Sequence, residues 1–171
     1  MKTIPVFVLT VDGIHRRFHE PKHPTPSKDK SYYAHKCKLS DLNYELGMSV
    51  YEYKLVWVNG AFKTSCHDIT IFRQAGLRGM IPEGHQVIAD RGYMGEPTQI
   101  STPTLHDPAE LRKFKSRVRA CHESFNARIK NFKCLEERLT RHGVDNHKTV
   151  FEAVCIICQY RLENGSPLFD T

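Results

Sequence analysis

Three carboxylates of this chain stand where acids are unusual. Asp12 closes the apolar run Val6–Val11, which has the unbroken hydrophobicity of a strand buried on both faces. Asp90 closes a second short run, His85-Gln86-Val87-Ile88-Ala89, and Gly92 follows it as Gly13 follows Asp12. Glu123 is the one acid in the basic stretch Arg117-Val118-Arg119-Ala120-Cys121-His122-Glu123-Ser124-Phe125-Asn126-Ala127-Arg128-Ile129-Lys130. Each has an ordinary reading: Asp12-Gly13 as a turn, and Glu123 in a surface ion pair worth ~0–1 kcal/mol. Two strand-end aspartates and a helical glutamate can also meet in one cleft. Anions so placed repel in a partly dry site, and the cluster persists only if it is protonated or bridged by cations. Mg2+ and Mn2+ fit, because they are hard ions that take carboxylate oxygens and keep waters for substrate phosphate. Two such ions ~4 Å apart would activate a water or hydroxyl at a phosphodiester and stabilise its leaving oxygen.

A fourth acid competes for this role. Asp68 follows Ser65-Cys66-His67 and opens the apolar spacing of Ile69-Thr70-Ile71-Phe72. It reads as a helix N-cap, with a second-shell or alternative-ligand role open to it and to His67. Around Glu123 the cations are placed to meet phosphate. Arg119, Glu123 and Lys130 fall at −4, 0 and +7 on one helical face, and Arg117 and Arg128 flank them. A solvated basic face accounts for the same pattern.

The elements that must position these residues can be read in order. Residues 4–20 are extended, and the Pro-rich stretch 21–31 is a loop, which rules out a helical metal face built from His15, His19 and His23. Strands are expected over 36–49 and 53–63, the first alternating Leu42, Tyr44, Leu46 and Met48 with Asn43, Glu45, Gly47 and Ser49. Asn59-Gly60 is expected to end the second. A short helix around Ile69–Arg73, the strand 85–89 and a possible edge strand at Ile100-Ser101 follow. Asp107-Pro108-Ala109-Glu110 starts a long helix, with Asp107 as N-cap. Its apolar seam is Phe114, Val118, Cys121, Phe125, Phe132, Leu135 and Leu139, running to about Gly143 with a possible break near Lys133. A mostly buried helix from Asn146 to Glu163 carries Cys155 and Cys158, which read as buried thiols.

The chain has 171 residues, 40% hydrophobic and 26% charged, and a net charge of +6 with 10 histidines besides. That composition is globular, offers no membrane span or leader, and favours a polyanionic partner as much as a bland basic surface. Six cysteines without a complete zinc spacing point to a reducing, intracellular compartment, the nucleus in a eukaryote.

Val11-Asp12-Gly13, Cys66-His67-Asp68, Ala89-Asp90-Arg91-Gly92-Tyr93 and Arg119-x-x-x-Glu123-x-x-x-x-x-x-Lys130 occur in this order over essentially residues 4–163. Together they resemble the DDE superfamily endonuclease domain of Harbinger-type transposases, related to bacterial insertion-sequence transposases. The resemblance implies an α/β, ribonuclease-H-like fold: a mixed five-stranded sheet of order 3-2-1-4-5 with helices on both faces. It implies Asp12, Asp90 and Glu123 as the catalytic, metal-binding triad, two Mg2+ or Mn2+ ions, and DNA endonuclease and strand-transfer activity. The alternatives are a truncated or domesticated relative that binds DNA or a protein without cutting, and a related ribonuclease. Expected partners are DNA, a separate DNA-binding protein or domain, and a second copy in a homodimer, with no membrane. One catalytic domain is expected over 1–171, without an N-terminal DNA-reading domain.

Overall fold

The alternation of Leu42, Tyr44, Leu46 and Met48 decides which side of the sheet becomes core. The computed structural model describes residues 6–18, 33–34, 39–52, 54–74, 76–136 and 143–168. Its strands are β1 (Val6–Arg17), β2 (Tyr33–Ala34), β3 (Leu39–Ser49), β4 (Leu55–Lys63), β5 (His85–Ala89) and β6 (Ile100–Ser101). Its helices are α1 (Asp68–Gln74), α2 (Leu77–Met80), α3 (Ala109–Lys130) and α4 (Val144–Glu163), with 3-10 turns at Arg91–Tyr93 and Lys133–Leu135. The sheet runs β4-β3-β1-β5-β6, antiparallel from β4 to β1 and parallel from β1 to β6. In chain order those five strands give the expected 3-2-1-4-5, and the two-residue β2 pairs with the start of β3.

Helices cover both faces. On one, Ile14, Leu42, Tyr44, Leu46 and Met48 pack against Phe125 and Ile129 of α3 and Phe151, Val154, Cys155 and Cys158 of α4. On the other, Val11, Val87, Ala89 and Ile100 meet Phe72 of α1, Leu77 of α2 and Tyr93. Tyr44 ties the first layer together: its ring stacks on Phe151 at 3.8 Å between centroids, and its hydroxyl is 2.7 Å from His147 Nδ1. His147 Nε2 faces the Arg17 carbonyl at 3.1 Å, so Nε2 carries the proton and Nδ1 accepts from Tyr44. Cys155 and Cys158 are buried free thiols, as expected.

Several expectations are corrected. Asp12 does not end β1, which continues five residues to Arg17; what ends beside Asp12 is the parallel neighbour β5. β4 likewise runs through Asn59-Gly60, where Gly60 takes φ 146 and a side chain would run into the Tyr44 ring. Long helix α3 stops at Lys130, where the Asn131 N–H turns back to the Arg128 carbonyl; Phe132 is then extended and Leu135 drops into the core. The break thus comes close to the one expected near Lys133, and the packing of those two side chains sets it. α4 buries one face only, leaving Ile156 70% and Tyr160 65% exposed. Short α2, preceded by Gly76 at φ 97, had no sequence signal strong enough to be expected. Loop 21–31, with His23, and also His19, Cys37 and Leu139, lie outside the described residues. Among the described residues no helix is long and apolar enough to cross a membrane.

Asp107 is not the α3 cap. Its Oδ2 accepts from the Thr104 N–H at 3.1 Å and from Lys115 Nζ at 2.8 Å. Lys115 is 2% exposed and also donates to the Thr102 carbonyl at 3.3 Å, so it pins the β6–α3 connection from inside. The buried ammonium is tolerated because it is paired. Asp107 is only half-buried, so Lys115→Met should cost less than the ~3–5 kcal/mol of breaking a fully buried pair, about 2 kcal/mol. A urea midpoint indistinguishable from wild type would contradict this.

Candidate functional site

β1 and β5 bring the first two acids side by side. Val11 opposite Ala89 is the last parallel pair, and Asp12 and Asp90 are the next residue on each strand. Neighbouring strands lie ~4.8 Å apart, so the two backbones present their aspartates as a pair. Asp12 is opposite Leu46, whose side chain is in the α3–α4 layer, and so it faces α3. There Asn126 Nδ2 donates to its Oδ2 at 2.9 Å, while the Gly13 N–H donates to Oδ1 at 3.0 Å. Asp90 caps the following 3-10 turn, its Oδ1 accepting from the Gly92 N–H at 2.7 Å.

Asp68 arrives from the α1 side. Helix α1 begins at Asp68 itself, and its first turn closes on the His67 carbonyl, which accepts from the Thr70 and Ile71 N–H groups; the His67 side chain is exposed. The Asp68 carboxylate therefore does not cap its helix. Its Oδ1 accepts from Asn43 Nδ2 at 3.1 Å on β3. A Cβ placed on Gly13 would sit 2.8 Å from Asp68 Oδ1, and one on Gly92 would sit 2.9 Å from Asp68 Oδ2 and 3.0 Å from Asp90 Oδ1. A side chain at either position would force the Asp68 carboxylate to shift, so the two glycines leave open the space it occupies. The two Asp-and-glycine signals in the sequence are thus two walls of one cradle.

The cradle is electrostatically unfavourable as it stands. Burial, followed by the Asp90 charge, pushes the Asp12 carboxyl up to about 6; Asp68 adds to this, while the Gly13 N–H and Arg119 oppose it. Behind it, Glu45 on β3 is 0% exposed, and its Oε2 accepts from Trp57 Nε1 at 3.0 Å. Burial pushes the Glu45 carboxyl up to about 7, with the Trp57 bond opposing and Asp68 adding. Among the described residues, five buried polar atoms of this region have no hydrogen-bond partner: Asn43 Oδ1, Glu45 Oε1, the Tyr93 hydroxyl, His122 Nε2 and Asn126 Oδ1. Such orphans are rare in folded proteins, and each is a place where a water, an ion or a ligand could supply the missing partner. The donor set is all hard oxygen around the aspartates, which fits Mg2+ or Mn2+. Among the described residues no three His, Cys, Asp or Glu side chains form a group that could hold a metal ion as they stand. Rotation about side-chain bonds is the motion that would draw them in.

Glu123 is at the rim. It is 66% exposed and pairs with Arg119 at 3.7 Å along the helix. It sits between Arg119, whose charge acts on Asp12, and Asn126, which touches Asp12, all on one face of α3. The structure therefore brings Asp12, Asp90 and Asp68 together and sets Glu123 one helical step away. Arg117 and Lys130 are exposed on α3. Arg128, expected at phosphate, instead donates from both terminal nitrogens to the Ser166 and Pro167 carbonyls and holds the segment after α4. His122 is packing: burial holds its imidazole down to about 3, so it is neutral, with Nδ1 3.4 Å from the Thr10 hydroxyl.

Sequence reasoning missed Asn43, Glu45, Tyr93 and Asn126 as parts of this site. Asn43 and Glu45 looked like the solvent side of an alternating strand, yet they are buried under α1. Their signal exists only once the register is known, since Glu45 pairs with Gly13. Asn126 had a usable signal, three residues after Glu123 on the same helical face.

Searches among curated proteins and among solved structures returned no match. The family model described as DDE superfamily endonuclease matches residues 11–159, from the strand that carries Asp12 into the last helix. The chain belongs to the DDE superfamily endonuclease family.

Proposed function

We propose that this chain is a metal-dependent DNA endonuclease and strand-transfer domain of the transposase type, with Asp12, Asp90 and Glu123 holding two divalent ions. The observation that carries the reading is the placement of Asp12 and Asp90 on adjacent strands where the parallel pairing stops. When bound, Mg2+ or Mn2+ would activate a water or hydroxyl and stabilise the leaving oxygen at a DNA phosphodiester. The chain's own groups prepare the site. Asn126 and the Gly13 N–H fix the Asp12 carboxylate, and the Gly92 N–H fixes that of Asp90. Arg119 offsets negative charge at Asp12. Arg117, Arg119 and Lys130 would grip the sugar-phosphate backbone without reading its sequence.

Duplex DNA incubated with the full chain and Mn2+ should be cut, and chelation should stop the cutting; preferential cleavage of RNA strands would overturn the substrate assignment. Glu123→Gln isolates the third acid. Glu123 has one long, exposed ion pair, so its stability effect should stay within ~0.5 kcal/mol. Cleavage should fall on the order of a thousandfold, the rate equivalent of several kcal/mol of lost charge stabilisation. Wild-type cutting by Glu123→Gln would remove Glu123 from the site.

A further inference from the structure

Resting on that reading, we infer that Asp68 is a further carboxylate ligand of the same metal centre, set in place by Asn43. Three observations on different elements converge on it. The Asp68 carboxylate fills the space left by two glycines, with Oδ1 against Gly13 and Oδ2 against Gly92, where it shares the Gly92 side with Asp90 Oδ1. It is turned there by Asn43, whose Nδ2 donates to Oδ1 at 3.1 Å, and not toward the N–H groups of its own helix. Asn43 itself is 1% exposed, its Oδ1 has no partner, and that oxygen lies 3.4 Å from the same Gly13 position that Asp68 Oδ1 approaches. A buried amide with its acceptor unused beside crowded carboxylates is a site short of positive charge. A cap would require an Asp68 oxygen on an α1 N–H; a chance surface acid would not need two missing side chains to make room. Asp12 comes from the α3 side of β1 and Asp68 from the α1 side, and their charges interact across the end of β5.

The test is Mn2+ binding to the full chain, read by titration calorimetry and by the electron paramagnetic resonance signal of free Mn2+, with no DNA present. Wild type should bind. Asp68→Asn should weaken binding at least about tenfold while its thermal melt without metal stays cooperative. Asp68→Glu keeps the charge and displaces the oxygens; it should also weaken binding about tenfold, which a purely long-range charge effect would not do. Asn43→Ser, which keeps the carboxylate and removes its orienting amide, should weaken binding severalfold and carries the test if either Asp68 variant fails to fold. Wild-type Mn2+ affinity in Asp68→Asn, or in Asp68→Glu, beside lost affinity in Asp90→Asn would overturn the Asp68 assignment and leave the proposed function standing. No Mn2+ binding by wild type would overturn both.

Discussion

Asp12→Asn is expected to abolish metal-dependent DNA cleavage and, with chelator present above pH 7, to make the protein more stable than wild type. The two effects share one cause. Burial and the neighbouring Asp90 push the Asp12 carboxyl from 3.8 up to about 6. A raised folded-state value means that Asp12's contribution is fully present below pH 3.8 and is lost as pH rises through about 6. At pH 8 the ionised group therefore carries a cost of up to ~3 kcal/mol, reduced by solvent because the residue is only half-buried. Asparagine cannot ionise, but its single oxygen can serve Asn126 Nδ2 or the Gly13 N–H and not both, so about 1 kcal/mol should be recovered at pH 8 and none at pH 4. Saturating Mn2+ should reverse the order. Wild type gains about 2.7 kcal/mol at a hundredfold excess over the dissociation constant, and the variant, lacking the Asp12 carboxylate, gains little. Chemical denaturation at pH 4 and pH 8, with chelator and with Mn2+, gives the four values needed. A variant less stable than wild type under every condition would mean that Asp12 is a structural acid.

This opposition explains why parts of the site could be read in the sequence and parts could not. An acid at the end of an apolar run conflicts with burial, and Asp12 and Asp90 were visible because they break a strand pattern. The segment types and spacing were clear enough to give β1, β3, β4 and β5 within a few residues, whereas the sheet order came only from the family resemblance. Asp68 was visible, first as an N-cap and with a ligand role open to it. An aspartate before an apolar helical run has a local explanation, the N-cap, and only the tertiary position of Asn43, Gly13 and Gly92 shows that the carboxylate points elsewhere. The break after α3, expected near Lys133, comes at Lys130, and its cause is tertiary, since Phe132 and Leu135 pack in the layer that α4 shares. Glu45 was hidden most completely, because a polar residue alternating with apolar ones is the ordinary mark of a solvent-facing position.

Glu45→Gln is expected to stabilise the chelated protein at pH 8.5 by about 2 kcal/mol relative to wild type and to change it little at pH 5. Burial moves the Glu45 carboxyl from 4.5 up to about 7, so its protonated form is the one the fold favours. Its stabilising contribution is complete below pH 4.5 and disappears as pH rises through about 7, the opposite of a salt-bridged carboxylate. Glutamine stays neutral and still offers an oxygen to Trp57 Nε1. The chain has 1 tryptophan, which makes the titration directly observable. Ionisation turns the Trp57–Glu45 bond into a charge-assisted one, so wild-type fluorescence should shift with a midpoint near 7, and Glu45→Gln should show no such step. Because the Asp68 charge helps raise the Glu45 value, Asp68→Asn should move that midpoint downward. Mn2+ held at Asp68 should do the same, since a cation there favours the ionised glutamate. A midpoint unmoved by Asp68→Asn would show that Glu45 and the aspartate cradle are electrostatically separate, leaving burial alone to account for the protonated glutamate.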